Sequence, residues 1–545
     1  MTEVIDYVTA ESPFWANMFN RVPVQYDDTE EYEYVEYLEA NSNGAKPALN
    51  QNRFVLYNRD IDPYLLFNKG FIQVRGFICA QGTENAAPPT YFNGSDAAGQ
   101  IAPCNLFNYA LWDKAELRLE GSLVQKVDNP RLIGLMKHLT KYTPDNLKSQ
   151  GTLSFFYKDT GDGGTSDQPV VSTVTSTHAL TGRIVTETFG AGGINNYIKV
   201  GASDGTGLQV PNPATDPVDL LATGVNGSGI VLTTTNTSTS FDNTTYNSGF
   251  VARRNRCIYN GAANKKSFEF TLPLSDLFGF YENYDAPFRG LKHEITLERT
   301  QNPALYLQRD AATANGIFVF EKVSMWIPRI KPSYEKLTDL NQKFVDKAQS
   351  IMKWSDHRYE ISGDISRTSL SNNLRVGSLA GRPTYCYVFF QKVSTINGNQ
   401  TLNKNIFSPL TIVNNGVHTV GIAQLEMRIN SHALPLQTYS LDFSTANQDY
   451  LRAYLYLLES QGKMLTNNNT GMVISYEEFR DLYPIFVFDF TRIEKRMYEN
   501  ISASEIEVRW KLNGATDDEY KCHIVIEHDR VAVLQAVDSK LLITL

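Results

Sequence analysis

The chain has 545 residues, 50 Lys and Arg against 59 Asp and Glu, and a formal charge of −9. That length predicts about two to four domains, and a hydrophobic share of 42% excludes global disorder. The negative balance argues against coating nucleic acid, which needs clustered basic side chains to neutralise phosphates.

In chain order, Met1 to Trp15 carries Glu3, Asp6 and Glu11 and has no apolar stretch of the signal-peptide kind. No run of 18 apolar residues occurs anywhere, so no helical membrane span is expected. Tyr26 to Ala40 interleaves seven acidic residues with Tyr26, Tyr32, Tyr34 and Tyr37. Like charges at that density resist packing, which predicts a mobile acidic arm over residues 1–45 that either orders against a neighbour or stays solvated.

Short apolar runs rich in β-branched and aromatic residues then predict strands at Arg53–Tyr57, Phe71–Cys79, Leu153–Tyr157, Phe268–Leu272 and Ile317–Val323. The second half offers Tyr385–Phe390, Leu425–Ile429, Ile485–Phe490, Ile506–Trp510 and His523–Glu527. Helical periodicity is clear twice: Leu132, Leu135, Met136 and Leu139 form one stripe, and Leu451, Tyr454, Leu455 and Leu458 form the other. This balance predicts an all-β protein of sandwiches with a few short helices.

An internal repeat organises the chain. Ala115 to Leu119 resembles Ala423 to Met427, and each precedes one of the two helices. Glu294 to Leu297 resembles Glu505 to Val508, and each precedes a further strand. The spacing between helix and later strands is about 108 residues longer in the first copy. From Asp159 to Phe250 the composition turns to Gly, Thr, Ser and Asn, with Arg183 and Lys199 the only basic residues. Ile184-Val185, Tyr197–Val200 and Ile230–Leu232 suit short strands there, so the excess, about residues 159–258, reads as an elaborated surface loop. Two sandwich domains follow, 46–332 and 333–545, with Trp326 to Ser333 as an extended crossing because Pro328 and Pro332 oppose a helix.

The sequence offers little chemistry. Its eight histidines are scattered, with no HExxH and no Cys/His zinc spacing. The five cysteines (Cys79, Cys104, Cys257, Cys386, Cys522) are odd in number and far apart, which predicts free buried thiols and a reducing compartment. Gly261 to Ser267 has the Lys-Ser ending of a phosphate loop but Lys265 where its second glycine belongs, and Gly190 to Gly193 begins a dinucleotide fingerprint that Asn195 breaks. No GxSxG occurs, and Asp159, Asp162 and Asp167 lack calcium-loop spacing. Arg253-Arg254-Asn255-Arg256 is a compact basic patch able to hold a phosphate or a carboxylate. No metal, cofactor or catalytic residue is predicted.

One stretch is distinctive. Leu272-Pro273-Leu274, Leu277-Phe278-Gly279-Phe280, Tyr284-Asp285 and Gly290 precede the strand at Glu294, and Trp326, Pro328, Pro332 and Ser333 form the crossing. Later, Pro484, Phe488 and Asp489 precede the strand at Glu505. These segments, in this order, resemble the major capsid proteins of virophages, Polinton-like viruses and adintoviruses. The resemblance implies a double jelly-roll, two eight-stranded sandwiches in tandem, with those residues in structural roles. It implies homotrimeric, pseudo-hexameric capsomers in an icosahedral virion shell, with penton or minor capsid proteins as partners and no direct nucleic-acid contact. It implies no enzyme activity and places the insertion outside as a tower. Some members carry a C-terminal segment that a protease removes; this chain ends at Leu545, just past its last predicted strands, leaving absence or trimming open. The competing readings are a carbohydrate-binding or carbohydrate-cleaving two-domain β-sandwich protein and a viral attachment protein.

Overall fold

The computed structural model describes residues 29–40, 50–57, 64–93, 101–160, 247–259, 263–284, 287–309, 315–334, 336–338, 349–379, 382–396, 421–429, 432–433, 439–443, 449–464, 471–491, 504–537 and 540–544, together with five short strands between 173 and 233. Among the described residues, eight principal strands build the first half, with the two-residue strand Tyr64–Leu65 added beside the last of them: β1 (Thr29–Leu38), β2 (Gln51–Tyr57), β3 (Phe71–Ala80), β4 (Trp112–Leu119), β5 (Ser122–Asp128), β6 (Phe268–Pro273), β7 (Lys292–Arg299) and β8 (Gly316–Pro332). Eight more build the second: β9 (Gln349–Ile361), β10 (Ser371–Leu379), β11 (Arg382–Lys392), β12 (Ile422–Ile429), β13 (His432–Ala433), β14 (Phe486–Asp489), β15 (Ser504–Leu512) and β16 (Tyr520–Val537).

Pairing makes the repeat explicit. The first half forms sheets β1-β8-β3-β6 and β2-β7-β4-β5, all antiparallel, and the second forms β9-β16-β11-β14 and β10-β15-β12-β13. Each strand of the second half is the counterpart of the strand eight earlier, so both halves carry the jelly-roll strand order. The fold is a double jelly-roll, as the resemblance implies.

The alternation that marked these segments is visible in the packing. Ala115, Leu117 and Leu119 of β4 and Ile295 and Leu297 of β7 point into the first core. Their neighbours pair across strands on the outer face: Arg53 with Glu294 at 2.7 Å and Lys114 with Glu298 at 3.5 Å. The second half repeats the device. Ile506, Val508 and Trp510 of β15 are buried, while Arg375 and Arg509 converge on Glu507 at 3.2 and 2.8 Å.

The acidic segment departs from expectation. Thr29–Leu38 is not a mobile arm but the first strand of the first half, paired with β8 from Thr29↔Pro332 to Leu38↔Ser324. Its charge is matched by basic residues of β8, far away in sequence: Glu36 with Lys322 at 2.5 Å, Glu30 with Lys331 at 2.9 Å and Glu33 with Arg329 at 4.0 Å. Residues 1–28 lie outside the described residues. The Trp326–Pro332 crossing is extended as expected, but it is the end of β8 and belongs to the sheet.

The strand expected at Leu153–Tyr157 does not form. The chain leaves a short helical turn at Leu147–Gly151, and Phe155 takes a left-handed φ of 60°. That run is apolar because it plugs the core from a loop: Phe155 meets Phe268 at 5.4 Å and Phe270 at 5.7 Å between ring centres.

Both predicted helices exist, α1 (Pro130–Thr140) and α5 (Leu451–Ser460). Between them lie α2 (Ser248–Cys257), α3 (Leu274–Leu277) and α4 (Gly279–Asn283), and α6 (Tyr476–Asp481) follows. In α1 the expected stripe is buried. In α5 the buried residues are Ala453 and Leu457 instead, while Leu451 is exposed and Tyr454, Leu455 and Leu458 are half-buried.

The insertion contains the strands expected at Ile184 and Tyr197, in two small sheets that share no strand with the sandwiches. Of Ile230–Leu232 only Leu232 lies in a described strand, Leu232–Thr233. The insertion enters and leaves at one point. The Thr160 N–H donates to Asn247 Oδ1 at 3.2 Å, and the Ser248 N–H donates to Thr160 Oγ1 at 2.9 Å. Replacing residues 161–246 by a short turn is therefore expected to leave folding intact. Circular dichroism and a melting temperature within a few degrees of wild type would bear this out, and an unfolded product would make the insertion part of the core.

Candidate functional site

The distinctive motif sits where the two halves meet. Leu272 and Pro273 end β6, and the Leu274 N–H donates to the Gly70 carbonyl at 2.9 Å, turning the chain into α3. Leu274, Leu277, Phe278 and Phe280 are all buried. The chain then presses α4 against β9. A Cβ on Gly279 would lie 2.0 Å from the Ser355 carbonyl oxygen, so only glycine lets the backbones approach this closely. The Phe280 ring stands edge-on to Trp354 at 5.2 Å.

A buried polar chain crosses the same contact. The Phe280 N–H donates to Gln125 Oε1 at 3.1 Å, and Gln125 Nε2 donates to Asp356 Oδ1 at 2.9 Å. Arg530 Nη1 donates to Asp356 Oδ2 at 3.2 Å and back to the Val124 carbonyl at 2.9 Å. Gln125 and Val124 belong to the first half, Asp356 and Arg530 to the second. Two of these bonds, Gln125 to Asp356 and Arg530 to the Val124 carbonyl, cross the seam, and the other two hold their partners in place, which penalises any sliding of one half on the other.

Two further contacts lock the seam. Lys158 reaches the Val473 carbonyl and Glu478, and Tyr483 Oη donates to the Asp159 carbonyl at 3.2 Å. Lys463 donates to the Thr140 and Tyr142 carbonyls at 3.1 and 2.8 Å, capping the end of α1.

The remaining motif residues are spread. Tyr284 packs on Phe288 at 4.5 Å, and Gly290 takes a φ of 74° at the turn into β7. Asp285 lies outside the described residues. Trp326 Nε1 donates to Gln73 Oε1 at 2.8 Å, the Pro328 carbonyl accepts from the Leu66 N–H at 3.0 Å, and Pro332 closes β8. Pro484 is buried ahead of β14, Phe488 packs on Tyr439 at 5.2 Å inside the second half, and Asp489 caps the Thr491 N–H at 2.8 Å. Sequence reasoning did not single out Gln125, Asp356, Arg530, Lys158 or Lys463, which carry no local pattern.

The basic patch is committed to internal contacts through Arg253, which is buried, and Arg256, which is half-buried. Arg253 is 1% exposed, pairs with Asp159 at 2.7 Å and donates to the Pro103 and Tyr157 carbonyls at 2.8 Å. Arg256 donates to the Glu269 carbonyl at 3.0 Å and lies over the Phe155 ring at 4.1 Å. All five cysteines are free and buried, as expected, and burial pushes the Cys79 thiol up to about 11. Among the described residues, no group of three or more His, Cys, Asp or Glu could hold a metal, and no helix is long and apolar enough to cross a membrane.

Two buried histidines shape the acid response. His293 stacks on Phe67 at 4.0 Å with Tyr281 Oη 2.9 Å from its Nδ1, and His523 stacks on Phe389 at 5.1 Å with Tyr359 Oη 2.9 Å from its Nδ1. Burial lowers both to about 3. The unfolded chain therefore binds these protons first, so stability is full above about pH 6.5 and is lost as pH falls below it. Each histidine costs about 2 kcal/mol by pH 5. Urea midpoints at pH 7 and 5 should show the loss, and His293→Phe should remove one histidine's share of it, about 2 kcal/mol; identical midpoints at the two pH values would contradict the assignment.

A family model described as a double jelly roll-like domain matches residues 225–532. Among solved structures, the chain is similar to one from the 3.5 Å cryo-EM structure of the Sputnik virophage, with TM-score 0.52 and 10% identity, covering 95% of this chain and 89% of that one. It is also similar to a chain of the quasi-atomic model of the PBCV-1 virus capsid (TM-score 0.48, 9% identity, 97% and 99% covered). The mavirus major capsid protein follows (TM-score 0.44, 12% identity, 98% and 95% covered). No curated protein matches the sequence.

Proposed function

The chain belongs to the double jelly roll-like domain family, and on that premise we propose that it is the major capsid protein of a virus particle. The observation that carries the reading is the duplicated sandwich locked across a seam by Gly279, Phe280, Gln125 and Asp356. A shell block needs rigid, repeatable faces rather than a reactive group, and here the buried charges of the seam are committed to holding two blocks in one orientation. Likeness to a chain from a virophage particle supports the same reading.

In this proposal three copies form a pseudo-hexagonal capsomer, since two equivalent sandwiches per chain supply six positions. Capsomers tile an icosahedral shell, the insertion faces outwards, and penton or minor capsid proteins complete the vertices. The two building blocks are 46–332 and 333–545, with β1 joining the first. The protein resides in the virion, and neither catalysis nor direct nucleic-acid contact belongs to its role. The motif residues from Leu272 to Gly290 serve to orient the blocks. The test is the stained gel of purified particles, where a band of 61.3 kDa should dominate. A trace band would fit an attachment protein instead. Absence from particles, with glycan binding by the monomer, would fit the carbohydrate reading.

A further inference from the structure

The sheet β9-β16-β11 of the second half is buried on both faces, and the two burials differ. Side chains alternate along these strands. The register therefore sets His357 and Tyr359 on one face with Glu527, Val525 and His523 of β16 and with Tyr387 and Phe389 of β11. The opposite face carries Cys386, Val388 and Phe390 into the core of its own jelly roll, where Phe390 meets Trp510 of β15 at 5.4 Å. The histidine face is instead met from the first half by α1. Asn129, which caps the start of α1, stands beside the Tyr359 hydroxyl, and Lys137 and Lys141 at the other end lie close to His357.

This face has no free carboxylate to hold a charged imidazole. Around His357 stand Lys137 and Lys141 from the α1 side, His528 and Glu527 from β16, and Asp356 and Arg358 on its own strand. Both lysines pair with Glu282 of α4, Lys137 at 3.2 Å. Ser355 Oγ donates to Glu527 at 2.5 Å, and Asp356 accepts from Gln125 and Arg530, with His528 Nε2 3.9 Å away. His523 is enclosed more tightly. Its ring stacks on Phe389, its Nδ1 meets the Tyr359 hydroxyl, and its Nε2 is buried without a hydrogen-bond partner among the described residues. An imidazolium there would carry an N–H with no acceptor, and Lys521 on the same strand adds a like charge.

We propose that His357 and His523 form an acid-operated latch: acidification parts α1 from the β9-β16-β11 sheet while each jelly roll keeps its fold. Burial holds His523 at about 3 and His357 well below its ordinary value while the seam is closed. Once it opens, both rings meet water and titrate near 6.5. The open form binds the two protons first, so closure is fully favoured above about pH 6.5 and is lost as pH falls below it. His293 is set apart from this latch: Phe67, Tyr281 and Phe288 of the first half enclose it, so its charging is tied to that half's own fold. The latch is a property of the single chain and does not rest on the capsid reading.

The full-length Val525→Cys protein, treated with a dipyridyl disulfide between pH 7 and 4.5, tests it. Val525 is buried on the histidine face between Tyr359 and Tyr387, so a thiol there reads the seam. The five native thiols are all buried and read unfolding of the jelly rolls. Relative to a free thiol at the same pH, the introduced thiol should react roughly hundredfold faster for each pH unit below about 6, tenfold for each proton taken up, with the native thiols still protected. Adding His357→Gln should reduce that dependence to about tenfold per unit; if this variant does not fold, His523→Phe takes its place with the same expectation. An introduced thiol whose relative rate does not change with pH overturns the latch. So does one that becomes reactive together with the native thiols, because acid then unfolds the jelly rolls rather than parting them. A dependence left at hundredfold per unit in the histidine variant overturns it as well.

Discussion

Gly279→Val is expected to destabilise the protein by about 3 kcal/mol or more, at the upper end of what overpacking costs. The added Cβ would lie 2.0 Å from the Ser355 carbonyl oxygen and 3.1 Å from its carbon, both backbone atoms of β9. No side-chain rotamer relieves that contact, so α4 must lift from β9, opening the Phe280–Trp354 pair and the Gln125–Asp356 hydrogen bond with it. Ser355→Ala should not rescue the variant, since the clashing atom is main chain. Gly363→Val, at a glycine with nothing within 4 Å of its virtual Cβ, should change stability little. Urea unfolding of the three variants beside wild type measures this, and equal costs at positions 279 and 363 would remove the seam from the account.

Arg253→Met is expected to cost about 3–5 kcal/mol, the range for breaking a buried ion pair and leaving one charge uncompensated. Among the described residues, Asp159 would keep its buried carboxylate with Asn247 Nδ2, at 2.9 Å, as its remaining side-chain donor. The Pro103 and Tyr157 carbonyls would lose their donors as well. Pairing the change with Asp159→Leu should recover part of the loss, because two apolar groups leave no stranded charge, although the two carbonyls stay unpaired. A double variant no more stable than Arg253→Met would show that the carbonyls rather than the carboxylate carry the cost.

The sandwich strands were legible because their alternation is local: Leu117 and Leu119 alternate with Glu116 and Arg118, and Val508 and Trp510 with Glu507 and Arg509. The repeat was legible for the same reason, since equivalent strands carry equivalent alternation. What sequence could not give are the pairings across distance. The acidic strand β1 looked unpackable because Lys322, Arg329 and Lys331, which match its charge, lie roughly 300 residues away. The seam residues are far apart too, with Gln125 and Asp356 separated by 231 positions and Asp356 and Arg530 by 174. The Leu274–Phe280 motif could be recognised, but its role could not be read from it. Gly279 is glycine because a second backbone passes over it, and nothing nearby in the chain announces that backbone.

The molecule is two copies of one jelly-roll block joined at the seam of Gly279, Gln125 and Asp356. Cryo-EM of the purified particle tests this most directly. The shell should resolve into rings of six upright sandwiches from three chains, with the two sandwiches of each chain joined at the Gly279–Ser355 contact. A shell built from some other protein, or one in which the two halves of a chain do not meet at that contact, would contradict this reading.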